Sequence, residues 1–151
     1  MTVVVQDLAE LTARAGTDLG RSDWTEITQD RINLFADATG DHQWIHVDPE
    51  RAKAGPFGRP IAHGYLTLSM LIPLFNELLV VNGVSMAVNY GLNKVRFPAP
   101  VPVDSKIRLA GRLAEVTAAG GGVQAVFDFT VEVDGSDKPA CVAQAVYRFY
   151  P

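Results

Sequence analysis

Two periodicities divide the chain. In its second half Val123, Ala125, Phe127, Phe129, Val131 and Val133 alternate with Gln124, Asp128, Thr130, Glu132 and Asp134. A period of two belongs to a strand that buries one face. Ile107, Leu109 and Leu113 behave similarly, and Cys141, Ala143, Ala145, Tyr147 and Phe149 give a further strand. Gly120-Gly121-Gly122 and Asp134-Gly135-Ser136 supply turns between neighbours, so consecutive antiparallel strands are predicted.

The first half reads as helix and loop. Leu8, Leu11 and Ala15 have helical spacing in a segment that ends near Gly16, and Trp24 to Thr28 is a candidate short strand. Thr28 is a plausible N-cap, with Asp30 in the first turn and Ile32, Phe35 and Ala36 forming an apolar stripe that stops at Gly40. Asp48-Pro49-Glu50 starts a second helix, with an N-cap Asp, Pro at N1 and an acid in the first turn. The connection between these helices is then a loop of only Asp41 to Val47.

Gly55-Pro56-Phe57-Gly58-Arg59-Pro60 breaks the chain, and an apolar run from Tyr65 to Val81 follows His63-Gly64 directly. Pro73, Asn76 and Glu77 interrupt that run, so it reads as a buried central helix and not as a membrane span. Tyr65, Leu66, Leu68, Met70 and Leu71 are expected to be mainly core, with part of the face free to line a tunnel. Pro73 leaves the Ser69 carbonyl without its helical partner, so a kink or break is expected there. A long apolar helix followed by antiparallel strands predicts an α+β fold: a curved sheet wrapped around the helix. Small residues at Ala143 and Ala145 let the helix lie close to that sheet. Uncovered edges favour pairing with a second chain, and a homodimer is expected.

Composition narrows the classes. The 151 residues fit one domain spanning 1–151, and 48% hydrophobic with 20% charged is ordinary for a folded protein. The net charge is −4 and the 13 Lys and Arg are scattered, which argues against nucleic acid as a partner. Cys141 is the single cysteine, so neither an internal disulfide nor a thiolate metal site is available. Met1 to Asp7 lacks the basic and long apolar regions of a signal peptide, so a cytoplasmic protein without membrane insertion is expected.

Chemistry concentrates in one segment. His42, His46 and His63 are the only histidines, and all fall in the loop-rich stretch between helices. Asp41 and His46 sit five apart in a connection pinned between two helices. A carboxylate and an imidazole so placed can share a water, the carboxylate taking its proton and the imidazole fixing its orientation. Spacing alone leaves a second reading equally open, with Asp41 a turn residue after Gly40 and His46 packed in the fold. Ala62, His63 and Gly64 offer no strong cap to the apolar helix, so its first N–H groups are free for a ligand oxygen. Gly64 has no Cβ, and its N–H is a candidate oxyanion donor; a simple N-cap bend is the alternative. There is no G-x-S-x-G elbow, P-loop, G-x-G-x-x-G after a strand, or histidine pair at metal spacing with a third ligand. Neither a metal nor a separate cofactor is expected.

The motif resembles the MaoC-like dehydratases, the hotdog-fold (R)-specific enoyl-CoA hydratases. Their pattern is an aromatic, a spacer, Gly-Asp, then x-Asn-Pro-aliphatic-His and a small residue six positions on; here it reads Phe35, Gly40-Asp41-His42-Gln43-Trp44-Ile45-His46 and Ala52. Gln43 and Trp44 replace the usual Asn and Pro. Pro60-Ile61-Ala62-His63-Gly64 is similar to the family's entry to the central helix, and Phe97-Pro98-Ala99-Pro100-Val101 to the segment after the next strand. The resemblance implies a trans-2-enoyl-CoA substrate, an (R)-3-hydroxyacyl-CoA product, Asp41 and His46 as the acid/base pair, the Gly64 N–H as oxyanion donor and a site near a dimer interface. Gln43, His63, Asn93 and Arg96 are further substrate-binding candidates, and Lys53, Arg59, Lys94 and Arg96 have the reach for coenzyme A phosphates. Two alternatives remain on the same fold. A thioesterase is disfavoured because Tyr65 to Phe75 contains no carboxylate, and a non-catalytic or partner subunit of a heteromeric dehydratase is disfavoured by the intact Asp41 and His46.

Overall fold

A computed structural model describes residues 1–151. In chain order the elements are β1 (Val3–Val5), α1 (Leu8–Ala13), β2 (Thr17–Arg21), β3 (Thr25–Glu26), α2 (Gln29–Thr39), α3 (Trp44–Val47), α4 (Pro49–Lys53), α5 (Gly64–Ser69), α6 (Leu71–Leu78), β4 (Leu79–Val81), β5 (Met86–Arg96), β6 (Lys106–Ala119), β7 (Gly122–Val133) and β8 (Cys141–Tyr150). The main sheet runs β2-β6-β7-β8-β5 with β3 also on β6, all pairs antiparallel. β1 and β4 form a separate parallel pair. This is the hotdog arrangement expected from the sequence, the sheet curving around α5 and α6.

Alternation in β7 and β8 decides which face meets the helix. Phe127, Phe129 and Val131 on β7 and Cys141, Ala145 and Tyr147 on β8 are all buried, together with Ile107, Leu109 and Leu113 on β6. Phe75 of α6 enters this layer, its ring centroid 4.7 Å from Phe127, 5.4 Å from Phe129 and 5.5 Å from Tyr147. Gly111 lies in phase with the buried face of β6, where an added Cβ would stand 2.9 Å from Leu78 Cδ1, so helix and sheet are closest there. Truncation of the central ring, Phe127→Ala, is expected to destabilise the fold by about 3–5 kcal/mol, through lost burial and a cavity that close packing cannot heal. Denaturant unfolding of the variant measures it.

The central helix differs from its sequence reading. It is broken at Met70 into α5 and α6 and ends at Leu78, with Leu79–Val81 turning into strand. Pro73 supplies the reason: without an N–H it cannot continue the Ser69 bond, and the last turn of α5 closes instead on Leu66 and Leu68 carbonyls. Tyr65 is 72% exposed and lies off the core face. The Asp41–Val47 connection is not all loop either, since Trp44–Val47 forms one helical turn closed by Asp48 N–H on the Trp44 carbonyl at 3.1 Å. The Trp24–Thr28 strand shrinks to Thr25–Glu26, while β1, β2, β4 and β5 had no counterpart in the pattern reading. No helix is long and apolar enough to cross a membrane.

Candidate active site

The site is assembled from three local structures, each dictated by its residues. Thr28 caps α2 through its hydroxyl on the Arg31 N–H, and Gly40 ends the helix at φ 81°, with its N–H on the Ala36 carbonyl at 2.8 Å. That left-handed turn favours Gly because it has no Cβ to clash, and it delivers Asp41 beyond the helix end. Asp48 caps α4 through Arg51 N–H with Pro49 behind it, fixing the other end of the connection. The third piece is the extended stretch before α5, tied down by Ile61 N–H on the Ile45 carbonyl and Ala62 N–H on the Val101 carbonyl.

His46 is buried, 6% exposed. Its Nδ1 lies 2.7 Å from the Ile61 carbonyl oxygen, an acceptor only, so Nδ1 carries the proton and Nε2 keeps the lone pair. Burial, with the neighbouring His63 ring opposing a second charge, pushes its pKa below the ordinary imidazole value, while the Ile61 bond and Asp41 act in the other direction. Asp41 is exposed, and its carboxylate accepts the Gln43 N–H at 3.3 Å. His63 is 3% exposed; its Nε2 donates to the Asp41 main-chain carbonyl at 2.9 Å, and its ring stacks on His46 with centroids 3.9 Å apart.

Donor atoms of Asp41, His46 and His63 all lie within 4.8 Å of one another. Sequence spacing had hidden this set, because the 17-position separation of His46 and His63 is not a metal-ligand interval. The donor types suit a divalent metal, but the geometry does not. Rings stacked at 3.9 Å and tilted by only 23° hold their lone pairs in nearly parallel planes, whereas two imidazoles on one ion need both planes to pass through it. The gap suits water better: a water bonded to two groups at about 2.8 Å each spans roughly 4.5 Å between them.

Gly64 opens α5. The Leu66 and Thr67 N–H groups bond the His63 carbonyl, and no side chain caps the helix, so the Gly64 N–H has no protein acceptor. It borders a pocket of about 310 Å³ lined by Phe57, Ile61, Thr67, Phe97 and Val101 among others. An added Cβ at Gly64 would meet the Phe97 ring at 3.5 Å, ordinary contact, so the chain itself does not require glycine here. A larger apolar cavity of about 540 Å³, between α6, β5 and β8, has no acid, histidine or cation in its lining.

The other sequence candidates fall elsewhere. His42 is exposed and pairs with Asp37 at 2.9 Å, which raises its pKa. The Gln43 side chain is exposed at the start of α3 and makes no capping bond. Asn93 donates to Gln144 at 2.9 Å across β5 and β8, and Arg96 donates to the carbonyl of Val95 beside it. Pattern reasoning missed the Ile61 carbonyl that sets the His46 tautomer. It also missed Gln29, which donates to the His46 carbonyl at 2.8 Å. Main-chain acceptors leave no trace in residue type, but Gln29 stands in the first turn of a helix whose stripe was read.

The MaoC like domain matches residues 10–133. The chain belongs to the MaoC-like dehydratase family. It is 59% identical over 145 residues to 3-hydroxyacyl-thioester dehydratase Z of Mycobacterium tuberculosis strain H37Rv, covering 95% of this chain and 96% of that one. Its fold superposes on the monoamine oxidase regulatory protein from Archaeoglobus fulgius with a TM-score of 0.78, 22% identity and coverage of 100% and 99% of the two chains. It superposes on the (R)-hydratase from A. caviae involved in PHA biosynthesis with a TM-score of 0.74, 23% identity and coverage of 91% and 96%. The MaoC match spans Asp41, His46, His63 and Gly64, and ends at the last residue of β7.

Proposed function

We propose that the chain is an (R)-specific enoyl-CoA hydratase, reversibly converting trans-2-enoyl-CoA to (R)-3-hydroxyacyl-CoA. The observation that carries this reading is an Asp41 carboxylate oxygen and a His46 ring nitrogen within 4.8 Å of one another, a gap one water can bridge, together with a Gly64 N–H that has no protein acceptor. The name of the dehydratase 59% identical to this chain supports the same class, a hydro-lyase acting on an acyl thioester.

In the forward direction a water lies between the Asp41 carboxylate and His46 Nε2. Asp41 takes a proton as the oxygen adds to C3 of the enoyl group, and the π electrons move onto the thioester oxygen. Gly64 N–H, at the head of α5, stabilises that enolate. Collapse of the enolate takes a proton at C2 from the acid/base pair, so the elements of water are added and nothing else is consumed. The pocket beside Gly64 and Phe97 receives the thioester end of the substrate.

His46 must be neutral to accept from water, and its pKa is depressed, so kcat/KM should hold as pH falls through 6.5 and drop only below that value. A pH–rate profile with crotonyl-CoA, followed by loss of the enoyl absorbance, tests this. An acid limb centred above 6.5 contradicts the assignment.

We also propose a homodimer through β5. Met86, Val88, Tyr90 and Leu92 alternate along this strand, yet all four are exposed, and its outer edge pairs with nothing. An eleven-residue edge strand that exposes four large apolar side chains is a surface that natural chains cover. Light scattering should give twice the chain mass of 16.3 kDa, and a Leu92→Lys substitution should shift it toward the monomer. A monomer at micromolar concentration contradicts the proposal.

A further inference from the structure

His63 stands where the three working parts meet. Its carbonyl accepts the Leu66 and Thr67 N–H groups and so holds the first turn of α5, which presents Gly64. Its ring lies between Phe35, 4.9 Å away by centroid, and His46, 3.9 Å away. Its Nε2 reaches the Asp41 carbonyl at 2.9 Å. Asp41 is otherwise weakly tethered, since its carboxylate accepts from Gln43 N–H at 3.3 Å and its own N–H reaches Thr39 Oγ1 only at 3.5 Å. These are long contacts that fix little, and the His63 bond is the shortest tie residue 41 has.

We propose that His63 is a positioning residue that locks the Asp41 turn, the His46 ring and the head of α5 into one geometry without itself touching substrate. This rests on the Asp41–His46 reading of the site and assigns His63 a role other than the substrate contact expected from the sequence. The Asp41 carbonyl is an acceptor only, so His63 carries its proton on Nε2. Its Nδ1 is buried and has no partner, so the neutral tautomer leaves there a lone pair and the cation would leave an unpaired N–H. The groups facing this ring are the His46 imidazole on α3 and Asp41 after α2; Phe35 on α2 carries no charge. A neutral His63 packed face to face on His46 therefore holds Asp41 while adding no charge beside the Nε2 that must accept from water.

The test compares wild type with His63→Phe, His63→Gln and Asp41→Asn. Phe keeps a ring between Phe35 and His46 but has no N–H. Its kcat should fall roughly 10- to 100-fold, the penalty of a slightly misplaced base, with KM within about 3-fold of wild type. The acid limb of its kcat/KM profile should move to lower pH, because a phenyl ring in place of a neutral imidazole solvates a charge on His46 less well. Gln can donate to the Asp41 carbonyl and should recover kcat to within about 10-fold of wild type. A residue with only a structural role would lower the melting temperature and leave kcat and the pH profile of folded enzyme unchanged, and that result overturns the proposal. If Asp41→Asn keeps full kcat, the acid/base reading itself fails. If Asp41→Asn is inactive and His63→Phe is unaltered, the positioning role alone fails. Nitrogen-detected imidazole spectra of the wild type should find His63 as the Nε2–H tautomer and His46 as the Nδ1–H tautomer, and the opposite tautomer at His63 overturns the proposal whatever the variants do.

Discussion

Asp41→Asn should lower kcat by about 10³-fold, within the 10²–10⁴ range of a lost general base, while leaving KM and stability close to wild type. The effect is nearly pure chemistry because the Asp41 side chain supports little of the fold. It is exposed, and its single side-chain hydrogen bond is the 3.3 Å one from Gln43 N–H, which the Asn amide oxygen can still accept. The amide keeps the volume and loses the basicity. Steady-state kinetics with crotonyl-CoA, alongside thermal melts, separates the two. A variant with more than a third of wild-type kcat would remove Asp41 from the mechanism.

Gly64 allows an unusually clean test of the oxyanion donor. His63 has φ −58° and ψ 139°, the extended conformation that a following proline requires, and Gly64 is the first residue of α5, where proline is well tolerated. Its N–H makes no bond within the protein. Gly64→Pro should therefore fold and yet lose kcat by about 10²–10³-fold, the loss expected on removing one oxyanion donor. Gly64→Ala is the control for bulk: it keeps the N–H and adds a Cβ at ordinary distance from Phe97, so it should lose markedly less. Equal losses in the two variants would mean that space, and not the N–H, is what matters at this position.

How much of this was legible in the sequence depends on the range of the interactions. The buried faces of β7 and β8 follow from alternation, and the ends of α2 and α4 from Thr28, Gly40, Asp48 and Pro49, because caps and strand faces are local rules. Pro73 announced the break that falls at Met70, but the return of Leu79–Val81 to strand depends on β4 finding β1, a pairing across the chain. β5 alternates in sequence too, at Met86, Val88, Tyr90 and Leu92, and went unread although the signal was present; all four are exposed, but a register shift between Asn89 and Gly91 puts Val88 opposite Arg148 and Leu92 opposite Ala145, so the pattern does not map onto one face.

The site divides in the same way. Asp41, His46 and Gly64 were named from loop position, helix ends and the family motif. Their tautomers and electrostatics were not, because these come from the carbonyls of Ile61 and Asp41 and from the stacking of His46 on His63, 17 residues apart. Gln43 and Trp44, the departures from the family pattern, have physical consequences of their own. Trp44 lies under Arg51 with the guanidinium carbon 4.6 Å from its ring centroid, and a Cβ at Gly55 would come within 2.8 Å of it. Gly55 is thus the residue that makes room for Trp44, and Gly55→Ala should force the indole to shift, detectable as a change in tryptophan fluorescence.

Hydration itself is tested most directly by incubating the purified chain with a trans-2-enoyl-CoA in heavy-oxygen water and locating the label in the product. Addition through Asp41, His46 and Gly64 places the heavy oxygen on C3, in the (R) configuration, with the thioester intact. Label in a free carboxylate with release of thiol, or no incorporation for any acyl length, would contradict it.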